Sequence, residues 1–243
     1  MKRLQETKPI WHAVVWIAIY VGVVNLGDML SSTLGVANLA TSLLLVVLSL
    51  TLLFYVRKNH WLEYYGLASL GTAQLQPMLF YIPLVAIAFI QYLKGFNPDL
   101  DLQDIVIIVV LMVCVGFLEE LLFRGFLFQA ILKTASLNRA VIISGITFGI
   151  GHIVNLARGY STADQAIQIV AAIFIGLVLA CCVAMTKTIL PGVIFHALFN
   201  ISGSVTNNNL EMETTILIAI VVISLFYSLY LKRFATVRAP LPA

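Results

Sequence analysis

Long, uninterrupted apolar stretches dominate this sequence and restrict the kind of fold it can adopt. Eight of them reach or approach the roughly 20 residues that an α-helix needs to cross a bilayer. Their apolar residues are continuous rather than alternating, which disfavours spanning strands. With 61% hydrophobic and 10% charged residues, the chain could not cover its apolar surface in water. We therefore predict an all-α, polytopic membrane helix bundle of about eight transmembrane helices. The predicted helices cover about 11–30, 38–56, 76–94, 105–132, 139–156, 165–186, 188–206 and 214–232.

The connections between these stretches are short, without repeats or linkers, so residues 1–243 are predicted to form a single transmembrane domain. The first stretch follows basic residues but lacks a convincing small-residue cleavage site, and it is therefore predicted to be an uncleaved span. With eight spans, eleven basic residues fall on the side of the N-terminus and only Lys94 and Arg158 on the other. The positive-inside rule then places both termini in the cytoplasm.

Histidines and tryptophans occur together at two ends of these stretches. His12 follows Trp11 near the start of the first predicted helix, and His60 precedes Trp61 just after the second. Because aromatic and polar side chains concentrate where a membrane meets water, we predict that both histidines are interfacial anchors.

Three charged residues lie inside the fourth apolar stretch, where each costs roughly 2.5–3.5 kcal/mol to insert. Glu120 and Arg124 are four residues apart with the acid first, so they can pair on one helix face. Glu119 points about 100° away from that face and has no such partner in its own helix. The three residues could be a buried network that only holds the bundle together. Glu119 is nevertheless a candidate general base.

Further polar residues occur inside the fifth and seventh stretches. The fifth ends in His152, and its Gly145 and Gly149 have the spacing that lets another helix approach closely. The seventh carries His196 and Asn200, which share a helix face. Counted from the basic end at 1.5 Å per residue, Glu119, His152 and Asn200 lie roughly 20 Å deep and His196 roughly 14 Å deep. The sequence thus predicts that three helices bring these side chains together.

Three motifs carry a family resemblance, and they occur in order on separate predicted helices. EELLFR at 119–124, FGIGH at 148–152 and HALFN at 196–200 resemble the EExxxR, FxxxH and HxxxN signatures of the CPBP family. That family groups type II CAAX prenyl proteases with bacterial relatives called bacteriocin-processing or abortive-infection proteins. The resemblance covers roughly the predicted catalytic core, 105–205, and the eight-span architecture of the family agrees with the segment count.

The resemblance implies an intramembrane endopeptidase whose catalytic group is Glu119, Glu120, Arg124, His152, His196 and Asn200. The favoured mechanism is a glutamate-activated water that needs no cofactor. The family is also widely labelled a metalloprotease family, and a Zn²⁺ site of Glu119, His152 and His196 with an open water position would satisfy coordination rules. Against zinc, the sequence has no HExxH pair.

The resemblance further implies a cell-membrane, multi-pass enzyme that contacts lipid and a membrane-associated peptide or protein substrate, with no nucleic acid partner. Peptide pheromone maturation, bacteriocin maturation and immunity are candidate roles. Two other classes of function stay open. The chain could be a membrane scaffold or immunity protein that does not cut its partners, or a proton-coupled transporter, since buried acids and histidines also build proton relays. The matching halves common in transporters are not evident here.

Overall fold

A computed structural model describes residues 1–68, 75–153 and 162–238 of the chain. These residues form helices and connecting turns without a strand, and one isolated bridge joins Phe96 to Thr206. The predicted all-α class is therefore confirmed. The helices are α1 Lys2–Thr7, α2 Pro9–Leu34, α3 Leu39–Lys58, α4 at 75–94, α5 Leu102–Leu132, α6 Leu137–Gly151, α7 Thr162–Thr186, α8 Leu190–Ser204 and α9 Leu210–Arg238.

Helices α2 to α9 correspond one by one to the eight predicted stretches, but they differ in length. In the described part of the chain, six are long and apolar enough to cross a membrane, namely α2, α3, α4, α5, α7 and α9. Helices α6 and α8 have 15 residues each, about 22 Å at 1.5 Å per residue, against a hydrocarbon core of about 30 Å. The stretch predicted at 139–156 is helical to Gly151, and residues 154–156 lie outside the described part.

Local sequence explains where the helices begin and end. The side chain of Asp101 accepts a hydrogen bond from the Asp104 amide, and the Asp104 side chain reaches back, which forms a capping box at the start of α5. Lys187, with φ of 60°, ends α7, and Pro191 stands in the first turn of α8. The predicted boundary between the stretches 165–186 and 188–206 is therefore a real helix boundary.

The surface of the bundle is apolar and its interior holds the charges. Phe54 and Phe226 expose 65% and 66% of their surface, whereas Glu120 and Arg124 expose none. A water-soluble protein rarely exposes contiguous apolar patches on this scale. The surrounding solvent is therefore lipid, and the protein is a multi-pass membrane protein.

Glycines set the closest helix contacts. A Cβ on Gly149 would lie 2.7 Å from the backbone nitrogen of Ile173, and one on Gly145 2.9 Å from that of Leu177. The predicted close approach at these two glycines is thus observed between α6 and α7. On α5, a Cβ on Gly116 would lie 2.9 Å from the backbone nitrogen of Ala197, so α5 and α8 also touch through backbone.

The two ends of the bundle are distinct. At the basic end, which carries the N-terminus and residues 59–68, 133–136 and 187–189, the Gly66 carbonyl accepts hydrogen bonds from the Ile189 amide and the Thr188 hydroxyl, both at 3.0 Å. At the opposite, acidic end, which carries loops 35–38, 95–101 and 205–209, the Asn97 amide donates to the Val205 carbonyl at 3.0 Å. Loops that alternate along the chain therefore meet at the same end, as in an antiparallel bundle.

Candidate active site

Glu120 and Arg124 form an ion pair at the centre of the bundle. Arg124 Nη1 lies 2.9 Å from Glu120 Oε1, and both side chains are fully buried. The guanidinium also donates to the Gly176 carbonyl at 3.4 Å and stacks 4.1 Å from the centre of the Phe148 ring. The predicted pairing is confirmed, although the residues lie on a π-helical segment of α5, Glu120–Leu127, rather than on regular α-helix.

Glu119 ends the regular part of α5 and occupies a different environment. Its carboxylate keeps 15% of its surface exposed and lines an internal cavity. Oε1 accepts a hydrogen bond from the Tyr20 hydroxyl at 2.7 Å, and Oε2 lies 3.5 Å from His196 Nε2. Glu119 therefore finds its partners on α2 and α8, as expected of a carboxylate without a partner in its own helix.

His196 links the two glutamates. While its Nε2 faces Glu119, its Nδ1 lies 3.3 Å from Glu120 Oε1. An ionised carboxylate only accepts hydrogen bonds, so this contact puts a proton on Nδ1. The ring therefore lies between the two carboxylates, with Nδ1 toward Glu120 and Nε2 toward Glu119. The predicted convergence of the fourth and seventh stretches is observed at this residue.

His152 and Asn200 approach the same cavity from α6 and α8. His152 directly follows α6, and its Nδ1 donates to the Phe148 carbonyl at 3.2 Å. The Phe148 ring lies between the two histidines, with its centre 5.2 Å from that of His152 and 5.5 Å from that of His196. Asn200 stands one turn beyond His196 and also lines the cavity. Of the six predicted residues, four therefore face the cavity and two lie buried behind them.

The cavity that these side chains line has a volume of about 800 Å³. Ligand pockets commonly occupy roughly 300–1,000 Å³, so a short peptide segment could be accommodated. Carboxylate, imidazole and amide groups converge at one end of it, and most of the remaining wall is apolar. Such an arrangement can position a water molecule beside a polypeptide backbone.

Two residues of this site were not identified from the sequence. Tyr20 lies on the first predicted span, 99 residues before Glu119, and a tyrosine in an apolar stretch carries no sequence signal for a distant carboxylate. Phe148 is the first residue of the FGIGH motif, so the motif could have identified it as a residue of the site. In the structure its ring contacts Arg124, His152 and His196.

His12 also differs from its prediction. It is 1% exposed and receives a hydrogen bond at Nε2 from Trp16 Nε1 at 3.1 Å. Its ring packs on Phe126 with 4.9 Å between ring centres. The prediction of an interfacial anchor was wrong for His12, because helix packing turned this face of α2 inward.

A metal ion is the alternative predicted for Glu119, His152 and His196. Across the described ranges, no group of three His, Cys, Asp or Glu side chains is arranged to hold a metal ion. In this structure the three side chains are therefore not arranged as a three-ligand zinc site.

One comparison with known proteins finds a match. Residues 101–202 match the family model described as type II CAAX prenyl endopeptidase Rce1-like. The matched part contains all six predicted site residues and Phe148, whereas Tyr20 lies outside it. No curated protein and no solved structure is significantly similar to the chain.

Proposed function

We propose that this chain, a CAAX-protease-like membrane endopeptidase whose residues 101–202 belong to the Rce1-like family, cuts membrane-associated peptides with a water molecule activated by Glu119. The observation that carries this proposal is the environment of Glu119. Its carboxylate is held by Tyr20 and His196 yet keeps one surface toward the cavity. A general base needs that combination of fixed orientation and access to water.

In the first step, Glu119 takes a proton from a cavity water while the water oxygen attacks the scissile carbonyl carbon. The carbonyl π bond opens and its electron pair moves to the carbonyl oxygen, which gives a tetrahedral oxyanion. The Asn200 amide lines the cavity and can donate a hydrogen bond to that oxyanion. In a site that excludes water, one such donor lowers the activation barrier by about 3–4 kcal/mol. His152, whose Nδ1 donates to the Phe148 carbonyl, can accept a hydrogen bond from the attacking water at its Nε2.

In the second step, the protonated Glu119 returns its proton to the leaving amide nitrogen. The C–N bond breaks, the carbonyl re-forms, and a carboxylic acid and an amine are released. His196 Nε2 lies 3.5 Å from Glu119 Oε2. With the ring proton on Nδ1, Nε2 can accept a hydrogen bond from the carboxyl group once Glu119 is protonated.

Glu120 and Arg124 support the site rather than touch the substrate. Glu120 anchors the Nδ1 edge of His196, and Arg124 balances the Glu120 charge and fixes the Phe148 ring. Removing one partner of a buried ion pair typically costs about 3–5 kcal/mol because the other charge is left uncompensated. Their proposed role is thus to keep His196 and Phe148 in place.

The substrate is proposed to be a membrane-associated peptide or protein of the cell membrane, with peptide pheromone or bacteriocin maturation, or immunity, as its biological setting. We expect cells with wild-type protein to release peptides that cells with Glu119→Gln do not, because the variant loses its base. Mass spectrometry of membrane and medium peptides tests this. Identical peptides from the two strains at equal protein abundance would instead favour a scaffold or a proton-coupled transporter.

Metal dependence separates the glutamate mechanism from the zinc alternative. We expect the purified enzyme to cleave a peptide identified in this way at an unchanged rate after treatment with a strong chelator, since the donors around Glu119 do not form a three-ligand site. Activity that disappears with the chelator and returns with one equivalent of Zn²⁺ would contradict the proposed mechanism. Glu119, His152 and His196 would then become the candidate ligands.

A further inference from the structure

The cavity that holds the site extends toward one end of the bundle. Its deepest described residues include Glu119, Phe123 and His196, and from there the wall continues to Asp28 and Glu213 at the acidic end. None of the described lining residues belongs to 59–68, 133–136 or 187–189 at the basic end. The outer part of the wall is also more polar and includes Asn25, Thr41, Gln91 and Asn208. This lining therefore indicates that the cavity opens to water at the acidic end.

The basic end is closed by packed aromatic rings. The Phe126 ring, two residues past Arg124 in the chain, lies 4.9 Å from the His12 ring and 4.7 Å from the Tyr65 ring, measured between centres. All three side chains are almost fully buried. Tyr65 is held in place because Gly66 is hydrogen-bonded to the turn between α7 and α8. Among the described residues, this ring cluster lies between the basic end and the ion pair, and a polypeptide that came from that side would have to displace it.

Charge identifies which side each end faces. Among the described residues, eleven basic residues lie at the basic end and one, Lys94, lies at the acidic end, and lysine and arginine concentrate on the cytoplasmic side of membrane proteins. The closed end is therefore the cytoplasmic one.

We propose that the active site receives its substrate from the non-cytoplasmic face of the membrane. The substrates are then peptide segments that lie at or beyond that face, such as exported or membrane-anchored peptides, and not the C-termini of prenylated cytoplasmic proteins. This inference rests on the proposed function for the cleavage itself, but the direction of entry depends only on the cavity and the charge distribution.

The direction of entry is tested by cysteine accessibility. The natural cysteines, Cys114, Cys181 and Cys182, are all buried and are replaced by alanine. Val115→Cys then places a thiol on the cavity wall one turn before Glu119, and Val113→Cys places a matched thiol on the same helix in an exposed, lipid-facing position. Intact cells and inside-out vesicles are treated with a charged, membrane-impermeant methanethiosulfonate reagent.

We expect Val115→Cys to react at least about tenfold faster in intact cells than in inside-out vesicles, and Val113→Cys to react in neither, because a charged reagent does not enter lipid. Equal reaction from both sides, faster reaction in inside-out vesicles, or no reaction of Val115→Cys would each overturn the proposed route.

A second measurement separates this inference from the proposed function. The peptides that depend on Glu119 are mapped onto their precursors, and we expect every cut to fall in a segment at or beyond the non-cytoplasmic face. Glu119-dependent cuts in cytoplasmic segments would overturn the entry route and leave the proteolytic function standing. Absence of any Glu119-dependent peptide would overturn the function, while the labelling result would still decide where the cavity opens.

Discussion

Glu119 and Glu120 are neighbours in the chain, but packing gives them different surroundings. Glu120 is fully buried and paired with Arg124, whereas Glu119 keeps 15% of its side chain exposed to the cavity. His196 contacts both, at 3.5 Å and 3.3 Å. One carboxylate can therefore reach water and the other cannot, and this difference is the basis for proposing a catalytic role for Glu119 and a supporting role for Glu120.

Replacing the two glutamates in turn tests this separation. Glu119→Gln keeps the size of the side chain but removes the base, so we expect cleavage to fall by about 10²–10⁴-fold at normal protein abundance. Glu120→Gln leaves the Arg124 charge unpaired, so we expect a lower abundance and a smaller loss of turnover per folded molecule. Turnover normalised to membrane abundance distinguishes the two effects. Near-normal turnover in Glu119→Gln with a dead but abundant Glu120→Gln would reverse the assignment.

A double replacement provides the matched control for the buried pair. Combining Glu120→Gln with Arg124→Met removes both charges, and we expect it to recover part of the abundance that Glu120→Gln alone loses, because no unpaired charge is left. Abundance lower than in the single variant would mean that Arg124 stabilises the fold mainly through Phe148 and Gly176.

Tyr20 makes a separate prediction because its hydroxyl donates a hydrogen bond of 2.7 Å to the Glu119 carboxylate. Tyr20→Phe removes the donor that orients the carboxylate. Since a hydrogen bond to a charged group contributes about 1.5–3 kcal/mol, we expect kcat to fall about 10–100-fold with little change in KM. Tyr227→Phe is the control, because it loses an equally short hydrogen bond, 2.7 Å to the Phe80 carbonyl, far from the cavity. Equal kcat losses in both variants would show a general structural effect.

Among the elements, α5 and α8 determine the site because their backbones touch. Gly116 on α5 faces the Ala197 amide on α8, immediately beside His196. Close contact at this point brings His196 within reach of both glutamates. The π-helical segment begins directly after Glu119, and such segments often occur at functional sites. The position of His196 relative to the two glutamates thus depends on the contact between α5 and α8 and on one irregular turn.

Adding a methyl group at this contact tests its importance. In Gly116→Ala the new Cβ would lie 2.9 Å from a backbone nitrogen, so α5 and α8 must separate by a few tenths of an ångström. We expect cleavage to fall about tenfold, because small misplacements of catalytic groups are costly. Gly22→Ala on α2 meets nothing within 4 Å and should leave the rate unchanged. A normal rate in Gly116→Ala would show that the site tolerates this shift.

At the scale of the whole molecule, basic residues concentrate at one end of the bundle and the cavity extends toward the other. The basic end carries Met1 and Arg238 and a cluster of packed aromatic rings, while the cavity extends toward the acidic end. Under the proposed entry route, the orientation of the bundle therefore decides which compartment supplies the substrate.

The orientation is measured at two loop positions in the chain that lacks natural cysteines. We expect Asn208→Cys, at the acidic end, to be labelled by an impermeant reagent added to intact cells, and Asn59→Cys, at the basic end, to be labelled only after the cells are opened. The reason is that basic residues concentrate at the end of the bundle that carries Asn59, and such residues favour the cytoplasmic side. Labelling of Asn59→Cys but not of Asn208→Cys in intact cells would invert the topology.

Much of this protein follows from local sequence properties. Continuous apolar stretches predict helices in lipid, since every backbone polar group must be satisfied within its own segment. The four-residue spacing of Glu120 and Arg124 predicts their pairing, and the glycines at 145 and 149 predict a close helix contact. Each of these properties depends on residues within a few turns of one another, and for this reason the sequence alone determines them.

Tertiary structure decided the rest, because it depends on contacts between residues far apart in the chain. Tyr20 reaches Glu119 across 99 positions, and no periodicity or motif encodes that meeting. The burial of His12 depends on how α2 rotates against its neighbours, and the direction of the cavity depends on how all the helices pack together. An apolar helix is hydrophobic on every face, so its sequence determines that it lies in the membrane. Only the packing of the other helices determines which face turns inward and which side chains meet there.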